Sequence, residues 1–305
     1  MDNKKSIKKW TSYQDQIDIL KSRGMTIDDE SRAIKYLQNI NYYRLSGYSF
    51  IFRYKDDNDK HRFKENTHFE DIKELYVFDK KLRLLILDAI ETIEVSLKAN
   101  IAYVIGQTNS KVPFDTSVFK LNNRKNIVKY SEIINTVNTQ LIRSKDEEFI
   151  SHHDKNYKDI PVWALLEIFT MGNISNLYTI LKPEYAKQIS EIYGIKNPYI
   201  FSRILYSITL IRNYSSHHAR LWNRRFKHTI EKSDIFADKN LYQKPDQFYF
   251  FALTIDFVLK KILPNSNWLE KLDDLIYKCL DETKNTSNEF IFEQIGKVLD
   301  SDPIA

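Results

Sequence analysis

The chain has 305 residues with only 6 glycines and 7 prolines, which argues against a turn-rich, sheet-rich fold and favours long helices. A formal net charge of +5 is compatible with an RNA or DNA partner without requiring one. The single cysteine, Cys279, excludes an internal disulfide framework and a cysteine-based zinc cage.

No apolar run approaches the roughly 18 residues that a membrane span needs. Met1-Asp2-Asn3-Lys4-Lys5 leads into no hydrophobic signal core, so no membrane association and a cytoplasmic location are expected. Residues 1–47 read as two helices. Tyr13, Ile17 and Leu20 have helical spacing and Gly24 is a plausible stop. Asp28-Asp29-Glu30-Ser31 is an acidic start for a second helix carrying Ala33, Ile34, Leu37 and Ile40. The stretch from Asn39 to Tyr48, dense in tyrosine, reads either as an aromatic contact surface or as a helix end packed by aromatics. Tyr48, Phe50, Phe52 and Tyr54 then alternate before the turn-like Asp56-Asp57-Asn58-Asp59. That pattern suggests one short β-hairpin or a charged loop.

From Phe69 to Ile105 the helical signal is clearest. Leu75, Phe78, Leu82, Leu85, Ile86, Ala89, Ile93 and Leu97 share one period, and Leu84, Leu87 and Ile90 make the remaining sides apolar as well. Such a helix should be central, which places Glu91 and Glu94 on a largely buried element. Glu94 then either pairs locally with Lys98 or meets an arginine from elsewhere. Residues 107–160 are polar with a helical island over 127–141. His152-His153 falls in this connector without companion ligands, so no metal site is expected. Pro161 opens a helix that Gly172 interrupts and that resumes over 174–181, and the periodicity returns from Pro198. Residues 247–263, 268–280 and, more weakly, 286–299 are further amphipathic helices. The chain reads as an N-terminal helical region with the possible hairpin over 1–68, followed by a helical body over 69–305 with no flexible linker.

The chemistry concentrates in Ile211-Arg212-Asn213-Tyr214-Ser215-Ser216-His217-His218-Ala219-Arg220-Leu221-Trp222-Asn223-Arg224-Arg225. Arginine holds phosphate through a planar fork of donors, and histidine moves protons near neutral pH. An arginine followed closely by a histidine is a loose pattern, and Arg62 and His68 match it inside the turn-like region as a decoy. The helical wheel separates the members of the later stretch. Phe201, Ile204, Ile208, Ile211, Ser215, Ala219 and Trp222 form one apolar stripe. Asn213, His217, Arg220 and Arg224 form a polar ridge opposite it, and His218 lies at the edge of the core stripe as a packed histidine. On a straight helix Arg212 leaves about 140° around from His217. The two then meet through a curled side chain, a distorted helix or a site shared by two chains.

The stretch Arg212-Asn213-x-x-x-His217, with Arg220-Leu221-Trp222-Asn223-Arg224 behind it, resembles the signature of the Abi-like proteins, the AbiD/AbiF-type abortive-infection proteins of bacterial phage defence. Three further blocks share the resemblance. They are Tyr36-Leu37-x-x-Ile40-Asn41-Tyr42-Tyr43-Arg44-Leu45-Ser46-Gly47-Tyr48, then Phe78-Asp79-Lys80-Lys81-Leu82-Arg83-Leu84-Leu85 continuing to Ile93-Glu94-Val95-Ser96-Leu97, and Pro161-x-Trp163-Ala164-x-x-Glu167 with Gly172 and Ser175. Together they span roughly residues 13–226, and the chain after about 245 carries no signature.

The resemblance implies a mainly α, HEPN-type helical bundle with additional N-terminal and C-terminal helices. In that family the Arg-x4–6-His motif marks a metal-independent endoribonuclease, typically completed by a homodimer and needing no cofactor. In this chain it implies His217 as general acid or base, Arg212 stabilising the transition state, and Asn213 orienting a neighbour or the substrate. Arg220, Arg224 and Arg225, with Tyr42, Tyr43 and Arg44, are the expected RNA contacts, and Glu94 and His218 the supporting residues. The partners expected are RNA, as substrate and as a possible regulatory small RNA, and a second copy of the chain. Two alternatives stand beside this: a non-catalytic HEPN-like module that binds RNA or a partner, and a ridge that is only a subunit interface.

Overall fold

The shortage of helix breakers shows directly in the architecture. The computed structural model describes residues 7, 9–54, 61–111, 113–227 and 246–282. Among these are α1 (Tyr13–Ser22), α2 (Glu30–Ile40), α3 (Tyr42–Ser49), α4 (Phe69–Gly106), α5 (Arg124–Arg143) and α6 (Glu148–Asn156). They are followed by α7 (Val162–Leu165), α8 (Met171–Thr179), α9 (Pro183–Ile192), α10 (Pro198–Ser216), α11 (Phe248–Ile262) and α12 (Trp268–Glu282). The fold is mainly α, as the composition implies, and no described helix is long and apolar enough to cross a membrane. The last expected helix, over 286–299, lies outside the described residues, as does the turn at Asp56–Asp59.

The suggested hairpin does not form among the described residues. Tyr48 belongs to α3, and residues Phe50–Phe52 make a 3₁₀ turn. Pairing within this stretch amounts to the isolated antiparallel bridge of Arg53 with Phe63, flanked by Lys64 N donating to Phe52 O at 2.8 Å and Tyr54 N donating to Arg62 O at 3.1 Å, and no named strand results. The aromatic alternation misleads because its members bury at a helical rather than a two-residue period. Tyr48 and Phe52 are inside and Phe50 is 64% exposed. Elsewhere, helix starts follow local chemistry. Asp29 caps α2 by accepting from Arg32 N at 2.9 Å, and Thr170 and Asn173 form a capping box that starts α8. The break expected at Gly172 therefore falls two residues earlier, and Gly172 sits inside the helix. Helix α9 adds an element between the expected helices, and His152 and His153 of the polar connector lie on α6.

The described chain divides into two compact units, 7–82 with 272–282 and 83–271. In the first, α1 packs on α2 and α2 on α3 around Ile17, Leu20, Leu37 and Leu45. Between α2 and α3, Asn41 takes the positive φ of 73° and its side chain accepts from Tyr43 N at 2.7 Å, so the expected helix end becomes the start of a third helix. Tyr48 donates to the fully buried carboxylate of Asp79 at 2.6 Å. Tyr48→Phe keeps the ring and removes this charge-assisted bond, so it should cost about 1.5–3 kcal/mol. Urea denaturation with an unchanged slope is the check, and a shift below a few tenths would show that the bond contributes nothing net.

In the second unit, α10 packs against α8, α9 and α11. Pro198 occupies its first turn and Asn197 caps it by accepting from Tyr199 N at 2.9 Å. Phe201, Ile204, Ile208, Ile211 and Ser215 are buried, which matches the apolar stripe up to the end of the helix. Phe201 stacks on Tyr193 with ring centroids 5.1 Å apart and meets Tyr178 edge-on at 5.2 Å. This aromatic base fixes the position of α10 from which the candidate site projects.

Candidate nucleic-acid site

Helix α10 ends at Ser216, in the middle of the chemically dense stretch. His217 is the C-cap and donates its N–H to Asn213 O at 3.0 Å. His218 then turns to a φ of 55°, its N–H reaching Ser215 O at 3.1 Å, while Ala219 N reaches Tyr214 O at 2.8 Å. These paired bonds are a Schellman motif, whose left-handed position usually holds glycine. The same bonds close α1 at Gly24 and α9 at Gly194, where φ is 93° and 72°. Histidine at the third such position carries a Cβ into a region that costs L-residues free energy.

The turn corrects the continuous ridge expected from the wheel. Asn213 and His217 remain together at the exposed end of α10, but Arg220 and Arg224 lie beyond the break and share no helix with them. It also corrects His218, which is exposed rather than packed in the core. Beyond the break the chain is pinned by apolar anchors, because Leu221 and Trp222 are both fully buried. The Arg224 guanidinium lies 4.1 Å over the Tyr214 ring and its Nε donates to Arg220 O at 2.6 Å. Arg225 contacts both carboxylate oxygens of Asp246 at 3.1 Å. That pair is exposed, so it neutralises charge more than it stabilises.

Because histidine and alanine share a Cβ and glycine lacks one, His218→Gly should be more stable than His218→Ala by about 1 kcal/mol. Both variants lose the imidazole, so chemical denaturation of the pair isolates the backbone strain. Equal stabilities would mean that the turn is not strained.

Arg212 leaves α10 in another direction from His217. It lines a cleft of about 390 Å³ together with Leu87, Ile90, Glu91, Glu94, Val95 and Lys98, all from α4. Glu94 pairs with Lys98 at 3.5 Å, the local pairing the sequence offered. Arg212 has no carboxylate within 4.0 Å among the described residues, although two glutamates share its cleft. Its guanidinium is thus held near, but not bound to, acidic groups, and its forked donors remain open to an anion.

The α4 side of this cleft is less buried than expected. Leu84, Leu87, Glu91, Val95 and Lys98 fall on one face of the helix, with Leu84 58% and Val95 59% exposed. His217 is exposed at the end of α10 and is not among the residues that line the cleft. Tyr42, Tyr43 and Arg44 belong to α3 in the other unit. Tyr42 is half-buried and accepts from Arg23 at 3.1 Å, while Tyr43 is 86% exposed. Among the described residues no group of three His, Cys, Asp or Glu side chains is placed to hold a metal ion. Of the two partners the sequence offers Glu94, Lys98 makes the ion pair, and a distant arginine, Arg212, shares the cleft without pairing.

A model of the Abi-like protein family matches residues 35–223, more than half of the chain, and its last residue is Asn223 just beyond the turn. No curated protein and no solved structure matches.

Proposed function

The chain belongs to the Abi-like protein family, and on that premise we propose that it is an RNA-cleaving effector of abortive-infection defence against phage, with a HEPN-type site. The observation that carries the reading is the pairing of an open Arg212 guanidinium in a cleft with an exposed His217 at a fixed helix end. In the proposed reaction the ribose 2′-hydroxyl attacks the adjacent phosphorus while His217 takes its proton. The P–O5′ bond breaks, the leaving 5′-oxygen gains a proton, and the products are a 2′,3′-cyclic phosphate and a 5′-hydroxyl. Arg212 offsets the charge that builds on the phosphoryl oxygens, and Asn213 orients a neighbour or the substrate. Arg220 and Arg224 grip flanking phosphates, while Arg225 contributes less because Asp246 already engages it.

Two chains complete this site in the proposal. The exposed apolar face of α4 beside Arg212 is the kind of surface a two-fold partner covers, and a second copy can bring its own His217 toward the cleft. The direct test incubates the purified chain with RNA in the presence of a chelator and determines the product ends. Cyclic phosphate termini formed without divalent metal support the reading. RNA that is bound but never shortened, under any ionic condition, identifies a non-catalytic binding module instead.

A further inference from the structure

The unit formed by residues 7–82 and 272–282 holds a second cavity of about 390 Å³, between the start of α1 and the end of α2. Its walls combine two kinds of group. Trp10, Tyr13 and Tyr42 supply flat aromatic faces, with Trp10 87% and Tyr13 44% exposed. Gln16, Gln38 and Asn41 supply side-chain amides. Tyr13, expected on the core face of α1, lines this cavity instead.

Two further observations point to a missing ligand. The Gln16 amide donates to Thr11 O at 3.2 Å, but its Oε1 is buried without any hydrogen-bond partner. An unmade bond of this kind is costly, and the terminal torsion of glutamine is soft enough to turn the oxygen toward an incoming donor. Behind the Tyr42 ring sits uncompensated positive charge. Arg23 Nη1 donates to the Tyr42 hydroxyl, Arg53 Nη2 donates to Ser49 Oγ at 2.9 Å, and Arg53 Nε is buried with no acceptor. Neither guanidinium has a carboxylate within 4.0 Å among the described residues. The nearby acids are occupied elsewhere, Asp15 with Ser12 and Glu30 with Lys21 and Gln14. Burial pulls the Arg53 guanidinium below its ordinary pKa; Tyr42 opposes this, and the Arg23 charge adds to the lowering.

One ligand class carries a flat heterocycle, polar edge groups and an anion within a few ångströms of one another. We infer that this cavity binds a nucleotide, its base stacked among Trp10, Tyr13 and Tyr42, its edge read by Gln16, Gln38 and Asn41, and its phosphate held by Lys9, with Arg23 adding positive charge through its bond to the Tyr42 hydroxyl. The base faces do not depend on sequence, whereas the three amides offer both donors and acceptors to a Watson–Crick edge. Arg53 adds to the positive potential behind the phosphate. The site does not depend on the α10 chemistry, because it is built entirely from the other unit.

The test is calorimetric titration of the full-length chain with the four nucleoside 5′-monophosphates, with the matching nucleosides, and with a short 2′-O-methyl oligoribonucleotide that cannot be cleaved through its 2′-oxygen. Trp10→Ala should weaken binding about 5- to 150-fold, the range seen when one stacking ring is lost. Because Trp10 is exposed, that variant should keep the wild-type circular dichroism spectrum. Lys9→Gln should weaken the monophosphates and leave the nucleosides unchanged. Binding of mononucleotides identifies a free nucleotide ligand, and binding of the oligomer alone identifies one residue of an RNA strand; either outcome supports the site if Trp10→Ala removes it. Failure of every probe to bind at millimolar concentration, or binding that Trp10→Ala leaves untouched, overturns it. A chain that binds nucleotide here yet never cuts RNA would uphold this site and overturn the cleavage reading, so the two failures are distinguishable.

Discussion

His217→Ala is expected to lower the rate of metal-free RNA cleavage about 10²- to 10⁴-fold, the usual worth of a positioned general acid or base. Arg212→Ala should cost about 10²- to 10³-fold, as for loss of one group that stabilises transition-state charge. Neither change should disturb the fold. His217 is exposed at the helix end, and Arg212 has no ion pair to lose among the described residues. Single-turnover rates on a short labelled RNA separate this from weakened binding, because a residue used only to grip phosphate changes the concentration dependence and not the saturated rate. If His217→Ala cuts as fast as wild type at saturation, the catalytic assignment is wrong.

The same two variants test whether the site is shared. On one chain Arg212 faces the α4 cleft and His217 does not line it. If each site takes its arginine from one chain and its histidine from the other, a mixed dimer of the two inactive variants regains one intact site of two. After unfolding and refolding in equal amounts, half of the dimers are mixed, so about a quarter of wild-type activity should return. A site closed within one chain gives no recovery. Leu84→Asp with Val95→Asp, on the exposed face of α4, should lower both dimer content and activity by the same route.

The legible and illegible parts of this chain differ for physical reasons. Helix α4 and the buried stripe from Phe201 to Ser215 follow from hydrophobic period alone, because burial of one face is a local pattern. The ends of α1 and α9 are marked by Gly24 and Gly194, which tolerate positive φ. The end of α10 has the same hydrogen bonds but a histidine in the left-handed position, so no breaker warns that the helix stops. A wheel drawn through 211–225 therefore joins Arg220 and Arg224 to a helix they do not belong to. The Arg212 cleft and the Trp10 cavity were illegible for another reason. Each is assembled by packing of helices distant in sequence, α4 with α10 and α1 with α2, and neither leaves a local motif. What the sequence did carry was the composition of the site, since Arg212, Asn213 and His217 stand out by residue type wherever the helix ends.

Trp222 supplies the other large expected effect, and it separates the structural half of the signature from the chemical half. The indole is fully buried four residues past the left-handed turn, and with Leu221 it anchors the returning chain. Removing it leaves a cavity the size of the largest side chain, so Trp222→Ala should cost about 3–5 kcal/mol. Against a total stability of roughly 5–15 kcal/mol, that is enough to shift the denaturation midpoint far and deplete the folded protein at 37 °C. Arg224 is the contrast. Its guanidinium lies on the Tyr214 face at the surface, so Arg224→Ala should cost only about 0.5–1 kcal/mol. The same substitution should reduce the salt dependence of RNA affinity by nearly one phosphate contact. Adjacent positions in one motif thus have opposite signatures: one lowers stability and takes activity down with the fold, the other lowers affinity and leaves the fold intact. Should Trp222→Ala unfold at the wild-type denaturant concentration, the indole is not the anchor, and the C-cap that positions His217 must be held by Leu221 and the Arg224–Tyr214 stack alone.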